Sequence, residues 1–310
     1  MSTTEIDFTG RVVVITGAGG GIGKAHAELM GARGASVVVN DVGRDVHGEG
    51  AAGSAAETVA AAIRAAGGSA IASADSIATP EGGDALVRAA VDAFGRVDAV
   101  VHNAGILRDR SIAKLSPEDV EEVVAVHLFG AFNVLRPAYP VMREQGYGRV
   151  VLTSSASGLF GNFGQANYGA AKAGLIGLMN VLAIEGARHG ILANSVAPTA
   201  LTRMTEGLID EGGEHFVPEH VSAVVAYLAS ERCTLTHNIF TVGGGRVGRI
   251  FVGVTPGVYF GSEPATPEEV ERRLDEVLSL ESFIVPETGA DEVTLIMDAV
   301  LGGSRSTTPG

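Results

Sequence analysis

Ser155, Tyr168 and Lys172 are the residues whose types and spacing can do chemistry in this chain. Tyr168 and Lys172 are four apart, which on a helix puts them on one face, about one turn from each other. A phenol beside a fixed ammonium gives acid–base chemistry to a side chain whose ordinary pKa is about 10. Ser155, thirteen residues before Tyr168 and at the end of an apolar run, can bring a hydroxyl to the same substrate oxygen. Tyr-x-x-x-Lys also arises on ordinary surface helices, where the two side chains are a solvated pair. The catalytic reading therefore depends on whether the chain builds a pocket beside them.

The elements upstream supply one. Val12 to Ile15 is a continuous β-branched run, as in a strand buried on both faces of a parallel sheet. It ends in Thr16-Gly17-Ala18-Gly19-Gly20-Gly21-Ile22-Gly23, and Lys24 to Arg33 has helical character. A strand, a glycine-rich turn and a helix bring backbone N–H groups and a helix N-terminus up to a diphosphate, where a Cβ would collide. Gly17, Gly21, Ile22 and Gly23 are the candidate residues for that contact. A second strand, Ala35 to Val39, ends at Asn40-Asp41, about twenty residues past the glycines, where a carboxylate can accept both hydroxyls of an adenosine ribose. A 2′-phosphate about 4 Å from that carboxylate would be repelled by roughly 4 kcal/mol at an effective dielectric of 20. Gly20 offers no cation to offset this, and Arg44 is the one nearby that can, so Asp41 points to NAD as cofactor. Two more strand ends complete the pocket: Ser69–Ser73 leads to Asp75-Ser76, and Val97–Val101 to His102-Asn103-Ala104-Gly105, whose small residues let a cofactor lie against the backbone.

The alternation continues with helices at 54–66, 80–94, 116–136 and 167–188, and with strands at 149–153 and 191–196, the last leading to Pro198. Such alternation predicts an α/β fold, a doubly wound parallel sheet with right-handed crossovers between two helical layers. No composition break divides residues 1–248, which read as one cofactor-binding catalytic domain. Residues 249–310 carry Gly/Pro-rich loops, an amphipathic helix over Pro267–Leu280 with Val270, Leu274, Val277 and Leu278 on one face, and an end expected to lack regular structure. This extension is expected to be an extra layer or a lid, not an independent domain.

Composition excludes other classes. The chain has 310 residues, enough for a substantial core, and 43 glycines, roughly twice the usual share of about 7% but without the collagen period. Its formal charge of −14 leaves no basic footprint for nucleic acid. The eight histidines lack metal-ligand spacing, so no metal is expected. No run of eighteen apolar residues suggests a membrane span. The single cysteine, Cys233, suits a reducing compartment. Met1 to Gly10 has no apolar secretory core and the end is not Ser-Lys-Leu, so a cytoplasmic location is expected.

Taken together, Thr16-Gly17-x-x-x-Gly21-x-Gly23, Asn103-Ala104-Gly105, Ser155, Tyr168-x-x-x-Lys172 and Pro198 resemble the short-chain dehydrogenase/reductase family over about residues 8–248. Asn40-Asp41-Val42-Gly43, Gly105 through Ser111, Val126-His127-Leu128-x-Gly130 and Gly161 through Tyr168 are similar to one branch of it. That branch holds the (3R)-hydroxyacyl-CoA dehydrogenase regions of peroxisomal multifunctional enzymes type 2, also called 17β-hydroxysteroid dehydrogenase type 4, and their bacterial relatives. The resemblance implies NAD-dependent oxidation of a secondary alcohol. Tyr168 would be the general base and Ser155 would steady the substrate oxygen. Lys172 would lower the phenol's pKa and hold the nicotinamide ribose. The pKa must fall by about 3 units, or about 4 kcal/mol, for the phenolate to form near pH 7. Thr202, four past Pro198, would hold the carboxamide, and Gln165 would face the substrate. His127 stands where the family carries a catalytic Asn, and is either a member of the proton relay or a core histidine. The substrate implied is a (3R)-hydroxyacyl-CoA; a hydroxysteroid or steroid side-chain CoA is the alternative. An acyl-carrier-protein reductase is disfavoured by Asp41, and a non-catalytic NAD-sensing protein by the intact Ser155, Tyr168 and Lys172. Helices 116–136 and 167–188 would join subunits into a homodimer or homotetramer.

Overall fold

The computed structural model describes residues 5–43, 54–200 and 213–302. It divides into two compact units, Met1–Arg249 and Ile250–Gly310.

The first unit alternates strand and helix: β1 (Val12–Thr16), α1 (Gly21–Ala32), β2 (Ser36–Asn40), α2 (Ser54–Ala65), β3 (Ser69–Ser73), α3 (Pro80–Phe94) and β4 (Ala99–His102). There follow α4 (Pro117–Val124), a π-helical turn at Ala125–Phe129, α5 (Gly130–Gln145), β5 (Gly148–Thr153), α6 (Ala156–Phe160), α7 (Ala166–Gly186), β6 (Ile191–Thr199), α8 (Pro218–Ala229), β7 (Asn238–Gly243) and β8 (Arg246–Ile250). The strands form one sheet in the order β3-β2-β1-β4-β5-β6-β7-β8. Every pairing from β3 to β7 is parallel. β7 and β8 are joined only by Gly244 and Gly245, both at positive φ, and so short a link permits only antiparallel pairing. The strand order reverses between β1 and β4, which opens a crevice at their carboxyl ends.

Both faces of the sheet are covered. Val13, Ile15, Val37, Val39, Ala99 and Val101 pack with Ala27 and Met30 of α1 and Val221 and Val225 of α8 in one core. The residues between them, among them Val14, Val38 and Val100, are equally buried and face the other way. This two-sided burial is why the strands read as unbroken β-branched runs. Asp98 pins the start of β4 to β1: it accepts from the Val12 N–H at 2.8 Å and pairs with Arg11 at 3.0 Å and Arg96 at 2.7 Å.

The helix expected over 116–136 differs from expectation twice. The π turn interrupts it, and it runs on through Pro137 and Pro140 to Gln145. Pro137 has no N–H for the Asn133 carbonyl. That carbonyl instead sits where a Cβ on Gly83 would be 2.3 Å away, so packing on α3 holds the helix past its prolines. α7 is long and apolar enough to cross a membrane by length and composition, yet it buries Lys172 and packs on the sheet as a core helix does.

The second unit contains α9 (Pro267–Arg272), α10 (Leu274–Val277) and α11 (Gly289–Leu301). The single helix expected over 267–280 is broken at Arg273. α11 was not among the expected elements, and a capping box between Thr288 and Asp291 starts it; residues 303–310 lie outside the described ones. Phe251 stacks on Phe283, and Val254 bridges Ile284.

Candidate active site

The carboxyl ends of β1, β4 and β5 bring the chemistry-bearing residues to one edge of the sheet. β5 ends at Thr153, and Ser155, in extended conformation, caps α6 by accepting the Ser157 N–H at 3.1 Å. Ser154 donates its hydroxyl to the Lys172 carbonyl at 2.9 Å, tying β5 to α7. A Cβ on Gly158 would lie 2.7 Å from the Lys172 Cβ, so α6 closes on α7 only because residue 158 is glycine.

Tyr168 and Lys172 share the α7 face turned toward this corner. Ser155 lies close enough to the phenol to act on its proton affinity. Lys172 is 2% exposed, its Nζ donates to the Thr153 carbonyl at 2.5 Å, and it lies 5.6 Å from the centre of the Tyr168 ring. Among the described residues no carboxylate is paired with it. Burial accordingly pushes its pKa down from 10.5 to about 7. The Tyr168 pKa moves the other way from expectation: burial raises it above 10, Ser155 lowers it in part, and the Asp109 carboxylate adds to the rise. With these groups alone around it, the phenol stays protonated at neutral pH.

The glycine turn has the shape of a phosphate cradle. Gly17 has φ +65°, and a Cβ there would be 2.6 Å from the Ala104 Cα; one on Gly23 would be 2.2 Å from the Gly17 carbonyl. α1 starts at Gly21 with no side chain capping its amides. Asp41 reaches back to this turn, accepting the Gly19 N–H at 2.9 Å and the Gly43 N–H at 2.8 Å. Asn103 donates to the Gly17 carbonyl at 3.2 Å. Asp75 accepts the Ser73 hydroxyl at 2.9 Å, and Asn40 holds the Asp75 carbonyl, which places Asp75 and Ser76 at the end of β3. The turn, the uncapped helix start and an acid at the end of β2 fit a nicotinamide dinucleotide. Thr202 and Arg44 lie outside the described residues.

Two polar groups absent from the initial set of candidates organise this edge. The Thr16 hydroxyl accepts the N–H groups of Asn103 and Ala104 at 3.0 and 3.1 Å and lies 3.3 Å from His102 Nδ1. His102 Nε2 donates to the His127 carbonyl at 2.8 Å, so Nδ1 is the acceptor and Thr16 the donor. Burial holds His102 neutral, with its pKa down to about 4. Asp109 is the second: it accepts from Gln165 Nε2 at 2.7 Å, while Gln165 Oε1 takes the Ser157 hydroxyl at 2.7 Å and the Asn162 amide at 3.1 Å. Position 16 belongs to the Thr-Gly signature and was legible; Asp109 sits in a loop whose partner, Gln165, is 56 residues away. Ile112, Phe160 and Phe163, close in sequence to Asp109 and Gln165, are respectively 76%, 72% and 91% exposed.

A phenol beside a serine hydroxyl and a buried lysine, next to a dinucleotide cradle, is a site for moving a proton and a hydride. The comparisons agree. Residues 11–211 match the short chain dehydrogenase family. A short-chain type dehydrogenase/reductase of Mycobacterium tuberculosis is 49% identical over 87% of this chain and 94% of its own length. Mouse peroxisomal multifunctional enzyme type 2 is 47% identical over 92% of this chain, which spans only 39% of that enzyme. A hydroxyacyl-CoA dehydrogenase of Mycobacterium tuberculosis is 38% identical over 88% of this chain and 84% of its own. The crystal structure of a short chain dehydrogenase from Mycobacterium avium superposes with a TM-score of 0.77 at 42% identity, covering 87% of this chain and 95% of that one. With this geometry and these relatives, the chain belongs to the short-chain dehydrogenase family, as an oxidoreductase acting on CH–OH groups.

Proposed function

We propose that this chain oxidises the 3-hydroxyl of a (3R)-hydroxyacyl-CoA to a ketone with NAD. The observation that carries the chemistry is the Tyr168 ring beside the buried Lys172 on one face of α7, with Ser155 acting on the phenol. NAD, when bound, supplies the hydride acceptor and a positive ring whose field favours the phenolate. Gly17, Gly21, Ile22 and Gly23 would take the diphosphate, Asp41 the adenosine ribose and Lys172 the second ribose, with Asp75, Ser76, Asn103, Ala104, Gly105 and Pro198 lining the rest.

Ser155 Oγ accepts the Ser157 N–H, so its own proton points away from the α6 backbone. It can thus donate to the substrate oxygen as charge develops there. Once the positive ring has favoured its ionisation, Tyr168 would receive the hydroxyl proton as a phenolate, with Lys172 buried beside its ring. Gln165 has both ends of its amide engaged, so it shapes the substrate side through the Asp109 link.

For the substrate, support comes from the exposed apolar side chains of Ile112, Phe160 and Phe163, which suit an acyl chain, and from the 38% identical hydroxyacyl-CoA dehydrogenase. Arg108 and Arg110, just before Ile112 in sequence, are paired with Glu122 and Asp119. The test is a screen of 3-hydroxyacyl-CoA and hydroxysteroid substrates with NAD. Turnover of the (3R)-acyl-CoA series is expected; turnover of steroids alone would move the assignment to the steroid reading, and NAD binding with no alcohol oxidised would sink the enzymatic one.

We infer also that two copies pair through α5 and α7. Phe129, just before α5, Phe132 of α5, and Val181 and Ile184 of α7 are all exposed on the single chain. Light scattering should report at least a dimer, and Val181→Glu should yield a monomer.

A further inference from the structure

The π turn at Ala125–Phe129 adds a residue to the helical ladder between α4 and α5, and His127 is its centre. Such single-turn insertions are rare and occur often at functional sites. His127 is 1% exposed. Its Nε2 lies 3.0 Å from the Ile106 N–H nitrogen and 2.9 Å from the Ile106 carbonyl oxygen, so either tautomer binds the backbone of the same residue. Its Nδ1 is buried without a hydrogen-bond partner. The ring meets the Tyr168 ring edge-on, with centroids 5.2 Å apart at 89°. Its Cε1 occupies the space beside Gly105, where a Cβ would approach to 2.3 Å. His102 holds the His127 carbonyl at 2.8 Å, so the extra residue is fixed from the backbone as well.

This is a ring clamped on the strand-end loop by one nitrogen and presented edge-first to the phenol. No described side chain bonds Nδ1, and Lys172 Nζ is directed at Thr153. We propose that His127 is a positioning residue: clamped on the Ile106 backbone, it holds the Tyr168 ring in the orientation that meets Ser155. The role rests on Tyr168 being the proton acceptor. It asks of His127 shape and a hydrogen bond, not a charge. The pKa of His127 lies well below 6.5, chiefly because the ring is buried and secondly because Lys172 is cationic.

The test compares His127→Leu, His127→Gln and His127→Phe with the parent in steady-state kinetics and NAD titration. Leu and Gln remove the aromatic edge, and kcat is expected to fall by about 10–100-fold, the cost of a misplaced reacting group, with NAD affinity within about threefold. Phe restores the edge and should recover about tenfold of the loss. A purely structural role would move melting temperature and both kinetic constants together, without rescue by Phe. If Leu and Gln leave kcat within about twofold, or Phe recovers nothing, the proposal is overturned. Should these variants not fold, Gly105→Ala keeps His127 but pushes a methyl against Cε1; an unchanged kcat there overturns the proposal and a selective loss of kcat supports it. Tyr168→Phe separates the two levels. If that variant still turns over, the base assignment fails; if it is dead while the His127 variants are normal, only the positioning role fails.

Discussion

Replacing Lys172 with Met should stabilise the fold while abolishing turnover. The lysine is 2% exposed and has no paired carboxylate among the described residues, so its ammonium sits in the core with one carbonyl for company. A fall in pKa from 10.5 to about 7, at 1.36 kcal/mol per unit, corresponds to a desolvation cost of about 5 kcal/mol for the charged form. Met removes that cost but also loses the bond to Thr153, worth about 1.5–3 kcal/mol for a charged donor. The net expectation is a gain of about 2–3 kcal/mol below pH 7 and a rise in Tm of several degrees. The sign follows from the depressed folded pKa of a base. Below about pH 7 both states carry the proton and the full cost is present. Between about 7 and 10.5 the unfolded chain holds a proton the folded chain lacks, so parent stability rises with pH. The advantage of Met should therefore be greatest at pH 6 and fade by pH 10. Denaturant unfolding of both proteins at pH 6, 8 and 10 measures it. A Met variant less stable at pH 6, or a difference that does not change with pH, would refute the reasoning.

Asp41→Ala should raise the NADP-to-NAD ratio of kcat/KM at least about tenfold, since roughly 4 kcal/mol of repulsion toward a 2′-phosphate is removed; an unchanged ratio would take Asp41 out of the ribose site. Asp98→Ala should cost about 3 kcal/mol in denaturant unfolding, because the Val12 N–H, Arg11 and Arg96 all lose their acceptor at the β1–β4 seam. A loss under about 1 kcal/mol would show that water replaces the carboxylate there.

The parallel sheet and its crevice were legible in the sequence because strands buried on both faces must be apolar throughout, and because a turn that meets a phosphate must lack Cβ atoms. Val12–Thr16, the glycines after it and Asp41 carry that information locally. The hairpin of β7 and β8 left a signal in Gly244-Gly245 between Val242 and Val247, but it departs from the strand–helix rhythm upstream. The continuation of α5 through two prolines was not legible, since the carbonyl freed by Pro137 is accommodated by Gly83 on another helix. The π turn depends likewise on Gly105 and His102 across the edge of the sheet. α11 begins with Thr288 and Asp291 where the usual box carries Glu or Gln, so its start signal is easily missed. The direction of the Tyr168 shift was beyond the sequence for a physical reason: spacing reveals a neighbouring charge, but not how far burial raises the phenol's pKa and lowers the lysine's.

The central claim is that Tyr168 takes the substrate proton. Tyr168→Phe keeps the ring against His127 and removes only the oxygen. With a (3R)-hydroxyacyl-CoA, its kcat should fall by at least about a thousandfold while the dissociation constant for NAD, read by fluorescence titration, stays within about threefold. A Tyr168→Phe enzyme that keeps more than about a tenth of the parent kcat would contradict the account.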